Sequence, residues 1–364
     1  TQALSDDTEK QEELARLKAR VQQLEQELNA QRNVDGERGG NKVVPNWIDR
    51  IEIGGLVEVE ADVLDSPDGH KSDVVLATVE LVVTAQLNDW VTAHVLLLYE
   101  EDDTEPMEVD EALINIANPE RSPFFVSAGR MVLPFGTFES HMVSDPLTLE
   151  LGESHESALQ FGFENNGLAV SLFIANGDTK ERGDNEIDLF GLSLGFFHEA
   201  ESGDFNVKAG LSYLNNIADS DNLQDAVFDA DNLADKKGGA GGYLVINTGP
   251  VMLIAEYLGA TDSFDVRDLD FRGRGAQPVS WNLEAAYHFT LGEWDSSVAL
   301  AWQGSDEALA LELPERRVVA ALSMEIMASM LLSLEWANDE DYSVKDGGSG
   351  DRTHIFTAQL AVEF

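Results

Sequence analysis

The residues best suited to chemistry lie in the segment MVLPFGTFESHMVSDPLTLELGESHESA, residues 131–158. Carboxylates and imidazoles recur along it, and together such groups attract cations and metal-bearing ligands. The two histidines lack a recognisable metal-ligand spacing, so we expect no dedicated metal site and no bound cofactor. The candidate residues of this segment, expected at or near a constriction, are Glu139, His141, Asp145, Glu150, Glu153 and His155.

A second set of ionisable side chains alternates with apolar residues. In RIEIGGLVEVEADV, residues 50–63, the apolar side chains share one face of an extended chain and the charged ones share the other. Repulsion along a row of carboxylates is tolerable only beside water and ions, which favours a cation-preferring aqueous pore. The alternative is a general acidity, such as an adaptation to high salt, that the pore only shares. The predicted pore-lining residues are Arg50, Glu52, Glu58, Glu60, Asp62, Glu80, Glu256, Glu284, His288 and Glu335.

Composition narrows the classes of function. The 364 residues include 68 acidic and 23 basic side chains, and the formal net charge of -45 repels phosphate backbones, so we expect no nucleic-acid partner. There is no cysteine, which excludes disulfides and thiolate metal sites. Gly191, Ser193 and Gly195 match the pattern G-x-S-x-G. This pattern lies inside an alternating stretch, whereas a nucleophile elbow needs a strand-to-helix turn, and we therefore expect no enzyme.

The segments that carry these side chains have the pattern of long strands. Many run to ten or more residues, whereas strands of soluble proteins average about five or six. Their number, about sixteen, is even, as bacterial outer-membrane barrels require. The sequence therefore predicts an all-β fold, an antiparallel transmembrane β-barrel of about 16 strands preceded by a short N-terminal coiled-coil helix. The segments are 47–63, 73–87, 90–100, 107–117, 123–132, 157–165, 167–176, 186–199, 204–215, 240–248, 251–261, 278–291, 294–303, 314–324, 328–337 and 352–364.

Connections between these segments alternate in length. Short turns such as Asn88-Asp89 and Leu291-Gly292-Glu293 contrast with long polar loops at 133–156, 176–186, 216–239, 262–277 and 338–351. Outer-membrane barrels have short periplasmic turns and long extracellular loops. We therefore expect a Gram-negative outer-membrane protein with both termini in the periplasm, in contact with outer-membrane lipid and lipopolysaccharide. Channels of this class commonly fold the loop after the fifth strand inward, which would place residues 133–156 at a constriction.

The two ends of the chain fit this prediction. THIFTAQLAVEF, residues 353–364, places Phe356, Leu360 and Phe364 on one apolar face, which we expect to contact lipid. The terminal aromatic resembles the C-terminal signature by which outer-membrane barrels are recognised for insertion. Closure of this strand against the first leaves no free edge. The chain begins at Thr1 without an initiator methionine, and we expect that a leading segment such as a secretion signal has been removed.

The first thirty residues have a different period. Apolar residues recur at intervals of three and four, which predicts a periplasmic coiled-coil oligomerisation helix over residues 1–30. Residues 20–25, RVQQLE, resemble a motif of parallel trimeric coiled coils, so a homotrimer is expected, with a dimer or a lone amphipathic helix as alternatives. Residues 31–46 form a linker and residues 47–364 the barrel. The oligomerisation residues are Leu14, Leu17, Val21, Leu24 and Leu28.

Several stretches resemble the LbtU family of siderophore porins. They include GLVEVEADV, SDVVLATVELVVTAQLNDWVTAHVLLLYEEDDTEPMEVDEALINI and AGRMVLPFGTFESHMVSDPLTLELGESHESALQFGFENNGL. The resemblance covers most of residues 47–364 and is most specific over 128–167. It implies an outer-membrane barrel that passes a metal-loaded siderophore. The layout is also similar to that of trimeric DcaP-like porins with a periplasmic coiled coil.

The expected function is therefore passive passage of small solutes, with a ferric siderophore or metal chelate as the favoured cargo. A general nutrient diffusion porin is one alternative. A structural or adhesive barrel anchored by the coiled coil is another, and a loop 133–156 that sealed the lumen would favour it.

Overall fold

The computed structural model describes residues 50–67, 69–101, 106–183 and 186–364. All of them belong to the second of two compact units, Asp49–Phe364. The predicted coiled coil with its five apolar residues, and the predicted linker, lie outside the described residues.

Sixteen strands form one closed antiparallel barrel, which confirms the predicted fold class for this unit. Each of the sixteen predicted segments overlaps one barrel strand. A short two-stranded sheet, β12 with β13, lies apart from the barrel. In chain order the strands are β1 (Ile51–Ser66), β2 (Gly69–Gln86), β3 (Val91–Tyr99), β4 (Glu108–Ala117), β5 (Phe124–Val132), β6 (His155–Asn165), β7 (Leu168–Ala175), β8 (Leu189–Glu199), β9 (Phe205–Leu214), β10 (Gly239–Thr248), β11 (Val251–Ala260), β12 (Asp270–Phe271), β13 (Arg274–Gly275), β14 (Val279–Leu291), β15 (Trp294–Asp306), β16 (Arg316–Met327), β17 (Met330–Glu340) and β18 (Arg352–Glu363).

Closure comes from pairing of the first and last strands. β1 pairs antiparallel with β18 from Leu56 opposite Glu363 to Asp65 opposite His354. All strand edges of the barrel are thereby hydrogen-bonded to neighbours. Large apolar side chains on the outer face, such as Phe356 and Leu360, are exposed, as a surface that meets lipid requires.

A β-bulge alters the predicted alternation in β2. The register between β1 and β2 shifts between Glu58 and Glu60, so that Val74 rather than Val75 lies opposite Ala61. Val74 is accordingly 68% exposed. The extra residue reverses the faces beyond the bulge. Strict alternation along residues 73–87 would place Val75 on the apolar face with Ala77 and Val79, whereas Val75 lies opposite Glu60.

The two ends of the barrel differ in their connections. The end that holds the start of β1 and the end of β18 carries short turns, including the two-residue turns between β6 and β7, β10 and β11, and β14 and β15. Their Gly167, Gly249 and Gly292 have positive φ angles of 80°, 54° and 69°, as tight hairpins demand. Long connections lie at the opposite end, apart from the short link between β1 and β2.

The long connections contain structure that the sequence patterns did not predict. Two short helices lie there, α1 (Leu147–Gly152) and α2 (Asp221–Ala226), together with three single turns of 3₁₀ helix. The described helices are too short and too polar to span a membrane. Side chains from several of these connections, among them Ile217, Leu223 and Leu269, pack into one buried apolar cluster with Phe135 and Leu151.

Candidate functional site: the barrel interior

The connection between β5 and β6, residues 133–154, is folded inside the barrel and is called the inner segment below. Its hydrogen bonds reach Glu256 on β11, Glu284 on β14 and Glu335 on β17. The neighbours of these glutamates on the opposite face, such as Tyr257 and Leu334, are exposed apolar side chains. The inner segment therefore lies against the polar face of the wall, within the lumen.

Glu256 anchors the first part of the inner segment. One carboxylate oxygen accepts a hydrogen bond from the Thr137 amide at 2.7 Å, and the other accepts bonds from the Phe138 amide at 3.2 Å and the Thr148 hydroxyl at 2.8 Å. Glu256 is only 4% exposed. A buried carboxylate needs such donors, because an unpartnered buried charge is very costly.

Glu284 and Glu335 repeat this arrangement along the segment. Glu284 accepts bonds from the Ser140 hydroxyl at 2.9 Å and from the amide and ring nitrogen of His141 at 2.8 and 2.9 Å. Glu335 accepts bonds from the Val143 amide at 2.6 Å and the Ser144 amide at 3.2 Å. These carboxylates and Glu256 were predicted to line the pore, yet the structure covers all three with the inner segment.

Polar side chains elsewhere on the wall hold the rest of the inner segment. Lys208 on β9 forms an ion pair with Glu139. Gln303 on β15 accepts a hydrogen bond from the Leu147 amide at 3.2 Å. Arg317 lies near Asp145, whose carbonyl oxygen is 3.5 Å from the guanidinium. Strands around much of the barrel therefore contribute to the position of this segment.

The polar face of β1 and β2 carries the other predicted acids. Glu58 accepts a bond from Thr78, Glu60 from Gln359 at 2.9 Å, and Asp62 from Thr357 at 2.6 Å. These three acids and Glu80 are partly buried, and the hydrogen-bonding partners of the first three are hydroxyl and amide groups. They form an acidic stripe on the polar face, defined here as Glu58, Glu60, Asp62 and Glu80.

The remaining predicted residues are more scattered. Arg50 donates to the Leu87 carbonyl at 2.7 Å, and Glu52 is exposed near the start of β1. The His288 ring lies 5.2 Å from that of His141, measured between centroids. Glu150 accepts a 2.6 Å bond from Asn222, which links α1 to α2.

Glu153 and His155 meet residues that the sequence patterns did not single out as partners. His155 Nδ1 lies 2.8 Å from Asp221 Oδ2, and His155 Nε2 lies 3.2 Å from Asp110 Oδ1. Burial raises the pKa of Glu153 to about 7, while His155 lowers it and the carboxylates Asp221, Asp145 and Asp110 raise it further. The carboxylates of Glu153, Asp110 and Asp221 therefore form an acidic cluster around the His155 imidazole.

The G-x-S-x-G pattern, residues 191–195, is part of a regular strand of the barrel. Ser193 lies in the middle of β8, opposite Ser171 on β7 and Ser212 on β9. The strand-to-helix turn of a nucleophile elbow is absent from this described stretch, so the observed geometry does not support nucleophilic catalysis at Ser193.

Similar sequences carry the name UPF0422. One from Coxiella burnetii is 30% identical over 304 residues, which cover 81% of this chain and 65% of that protein. One from Legionella pneumophila strain Lens is 28% identical over 307 residues, covering 76% of this chain and 56% of the relative. The chain thus spans less than two thirds of the length of these curated relatives. No protein-family model matches the sequence.

Solved structures with the same fold are porins. The outer-membrane channel DcaP of Acinetobacter baumannii aligns with a TM-score of 0.58 at 13% identity, over 86% of this chain and 97% of that one. OprB of Pseudomonas putida gives a TM-score of 0.61 at 9% identity, over 88% and 96%. An anion-selective porin from Comamonas acidovorans gives 0.59 at 13% identity, over 86% and 99%. At such low identity these likenesses establish the fold alone.

Proposed function

We propose that the protein is an outer-membrane porin that gives small solutes passive, cation-preferring passage, with a ferric siderophore or another metal chelate as favoured cargo. The observation that carries the proposal is the inner segment, bonded inside a closed barrel to carboxylates of β11, β14 and β17. A segment held in the lumen narrows the aqueous path and brings polar side chains to a passing solute.

The acidic stripe supports the preference for cations. The carboxylates of Glu58, Glu60 and Asp62 accept hydrogen bonds from uncharged groups, so no basic side chain neutralises them through these bonds. Lys208, by contrast, is paired with Glu139. Fixed charge of one sign on a lumen wall raises the local concentration of the opposite ion. A porin of the same fold is anion-selective, so the fold does not determine which ions a barrel prefers. The proposed preference for cations therefore rests on the side chains of the present chain.

The proposed cargo rests on the resemblance to LbtU siderophore porins, which is most specific over residues 128–167. This block contains the whole inner segment. A metal chelate presents hydrogen-bonding groups and metal-bound oxygens, and the inner segment brings carboxylates and His141 into the lumen through which such a ligand would pass. A general nutrient diffusion porin would share the open path without chelate binding.

Single-channel recording in planar bilayers tests this proposal. We expect stepwise currents that a ferric siderophore blocks reversibly, because chelate and ions share one path. Deletion of residues 137–145 should increase the conductance and abolish the block. Deletion of residues 343–350 in an outer connection is the matched control and should leave the block intact. Currents that the chelate does not affect would reject the siderophore cargo and leave the general porin.

A structural or adhesive barrel is the second candidate, and one observation favours it. The inner segment contributes Leu133, Phe135 and Leu151 to an apolar cluster with side chains of the outer connections. Such packing fills part of the lumen. Bilayers that stay silent after insertion of folded, heat-modifiable protein would favour this candidate over the porin.

We propose that the chain assembles as a homotrimer through the helix predicted over residues 1–30, with both termini in the periplasm. Light scattering of the purified protein measures the mass of the assembly. Leu17→Asp with Leu24→Asp should reduce a trimer to monomers, because both changes put charge on the predicted apolar stripe. Gln23→Asp on another face is the control, and a mass unchanged by the double variant would contradict this assembly.

A further inference from the structure

Three ligand-bearing side chains come together where the inner segment meets an outer connection. One nitrogen or oxygen atom from each of Glu153, His155 and Asp221 lies within 4.8 Å of the others. Glu153 follows α1 near the end of the inner segment, His155 begins β6, and Asp221 begins α2. The cluster therefore joins the start of β6 and the adjoining inner segment to a helix 66 residues further along the chain.

Backbone hydrogen bonds fix these residues relative to one another. The Asp221 amide donates to the Glu153 carbonyl at 2.9 Å, and the His155 amide donates to Asp221 Oδ1 at 3.2 Å. The side chains are thus held together before any ligand arrives. Such preorganisation lowers the entropy that binding must overcome.

The imidazole is oriented in the manner of a metal-ligating histidine. Its Nδ1 faces Asp221 at 2.8 Å, and its Nε2 faces Asp110 at 3.2 Å. A histidine that binds a metal through one ring nitrogen commonly donates the N–H of the other to a carboxylate, which fixes the tautomer. Asp110 occupies the position of that carboxylate.

Charge gives an independent reason for a cation here. The charged groups that act on Glu153 are one imidazole and three carboxylates, those of Asp110, Asp145 and Asp221. Glu156, which directly follows His155, is 5% exposed, interacts electrostatically with Asp221, and has a carboxylate oxygen Oε1 without a hydrogen-bond partner among the described residues. Arg130 donates hydrogen bonds to the Asp110 and His155 carbonyls at 3.1 and 3.3 Å, but the acidic side chains outnumber this guanidinium and the imidazole. A cation would balance the remaining negative charge.

We propose that Glu153, His155 and Asp221 bind a divalent transition-metal cation of the zinc class, with Asp110 orienting the imidazole. One nitrogen and carboxylate oxygens suit Zn²⁺, and three protein ligands leave a position for water. The bound cation replaces a proton between His155 and Asp221. It ties the end of the inner segment to the outer connection that carries α2. None of the three proposed ligands belongs to the acidic stripe, and the site does not depend on the proposed cargo.

Zinc binding to the purified full-length chain, stripped with EDTA, tests this site. Equilibrium dialysis is performed with excess Mg²⁺, because a chain with a net charge of -45 attracts cations nonspecifically. We expect one tightly bound Zn²⁺ per chain, and we expect His155→Ala and Asp221→Asn each to weaken it by at least about tenfold. Asp110→Asn should weaken it by about tenfold or more through the loss of imidazole orientation.

Two control variants separate the site from general acidity. His70 forms a similar histidine–aspartate pair with Asp65 at 3.0 Å, but on the exposed surface, and Asp225 lies in the same connection as Asp221. His70→Ala and Asp225→Asn should leave zinc binding unchanged. Asp221→Asn keeps the side-chain shape. Its zinc binding is measured only on protein whose folding has been checked by heat modifiability. Equal zinc binding by the wild type and by both His155→Ala and Asp221→Asn would overturn the proposal.

Discussion

Replacement of Glu256 by glutamine should release the inner segment more often from the barrel wall. The carboxylate receives hydrogen bonds from the Thr137 amide, the Phe138 amide and the Thr148 hydroxyl. Glutamine keeps the shape but offers a single acceptor oxygen, and its NH₂ group faces at least one of these donors. Glu256 is only 4% exposed, so water has little room to replace the lost bond.

The size of the effect follows from these three bonds. A hydrogen bond to a charged group contributes about 1.5–3 kcal/mol, against about 0.5–1.5 kcal/mol for a neutral one. The lost bond costs about 1.5–3 kcal/mol, and each of the other two weakens by about 1–1.5 kcal/mol as it becomes neutral, so attachment of the segment weakens by roughly 3.5–6 kcal/mol. At about 1.4 kcal/mol per factor of ten, the detached population should rise at least about 300-fold.

Thiol labelling can measure this population because the chain has no cysteine. Ser144→Cys supplies a reporter, since the Ser144 hydroxyl is buried and has no hydrogen-bond partner to lose. When opening is fast relative to labelling, the modification rate follows the detached population. Glu80→Gln is the matched control, as it removes one charge from the acidic stripe. Equal labelling rates for Glu256→Gln, the control and the parent would refute the idea that this carboxylate holds the segment.

Three further changes have defined outcomes. Gly129→Ala should impair barrel assembly in heat-modifiability assays, because φ is +141° and the added carbon would lie 2.1 Å from a carbonyl of the adjacent strand. Gly292→Ala is the control, since φ is also positive at 69° but the added carbon meets open space, and this variant should still assemble. Asp339→Asn should lower the free energy of unfolding by about 3–5 kcal/mol, because it breaks a largely buried ion pair in which Arg317 donates two hydrogen bonds to Asp339. Urea titrations measure this change, and an unchanged midpoint would contradict it. Lys208→Gln should shift the reversal potential further toward cations by freeing a carboxylate of the inner segment; a shift toward chloride would oppose it.

Strand number and position were predictable because the period-two pattern acts locally. Along β14, for example, Leu283 and Tyr287 are exposed while Asn282 and Glu284 are buried, so alternation alone identifies the faces. Turn chemistry was equally local, as at Gly167 and Gly249. The failure at Val75 came from a bulge, whose extra residue depends on the pairing partner in β1.

The interior contacts could not be predicted in this way. Glu256 lies 119 residues from Thr137, and Asp221 lies 66 residues from His155. Nothing in either local pattern encodes such pairings, because they arise only when the closed barrel brings its wall around the inner segment. The hairpin of β12 and β13 had a local signal that was missed, since Arg272-Gly273 forms a two-residue turn with φ angles of 58° and 76°.

The reversal potential across a planar bilayer under a steep KCl gradient tests the central claim most directly. An aqueous pore lined by the acidic stripe should conduct, and its potential should have the sign of a membrane more permeable to K⁺ than to Cl⁻. Charge-neutralising Glu58→Gln and Glu60→Gln together should move that potential toward zero. A chloride-selective potential, or a silent membrane containing folded protein, would contradict the proposed cation-preferring porin.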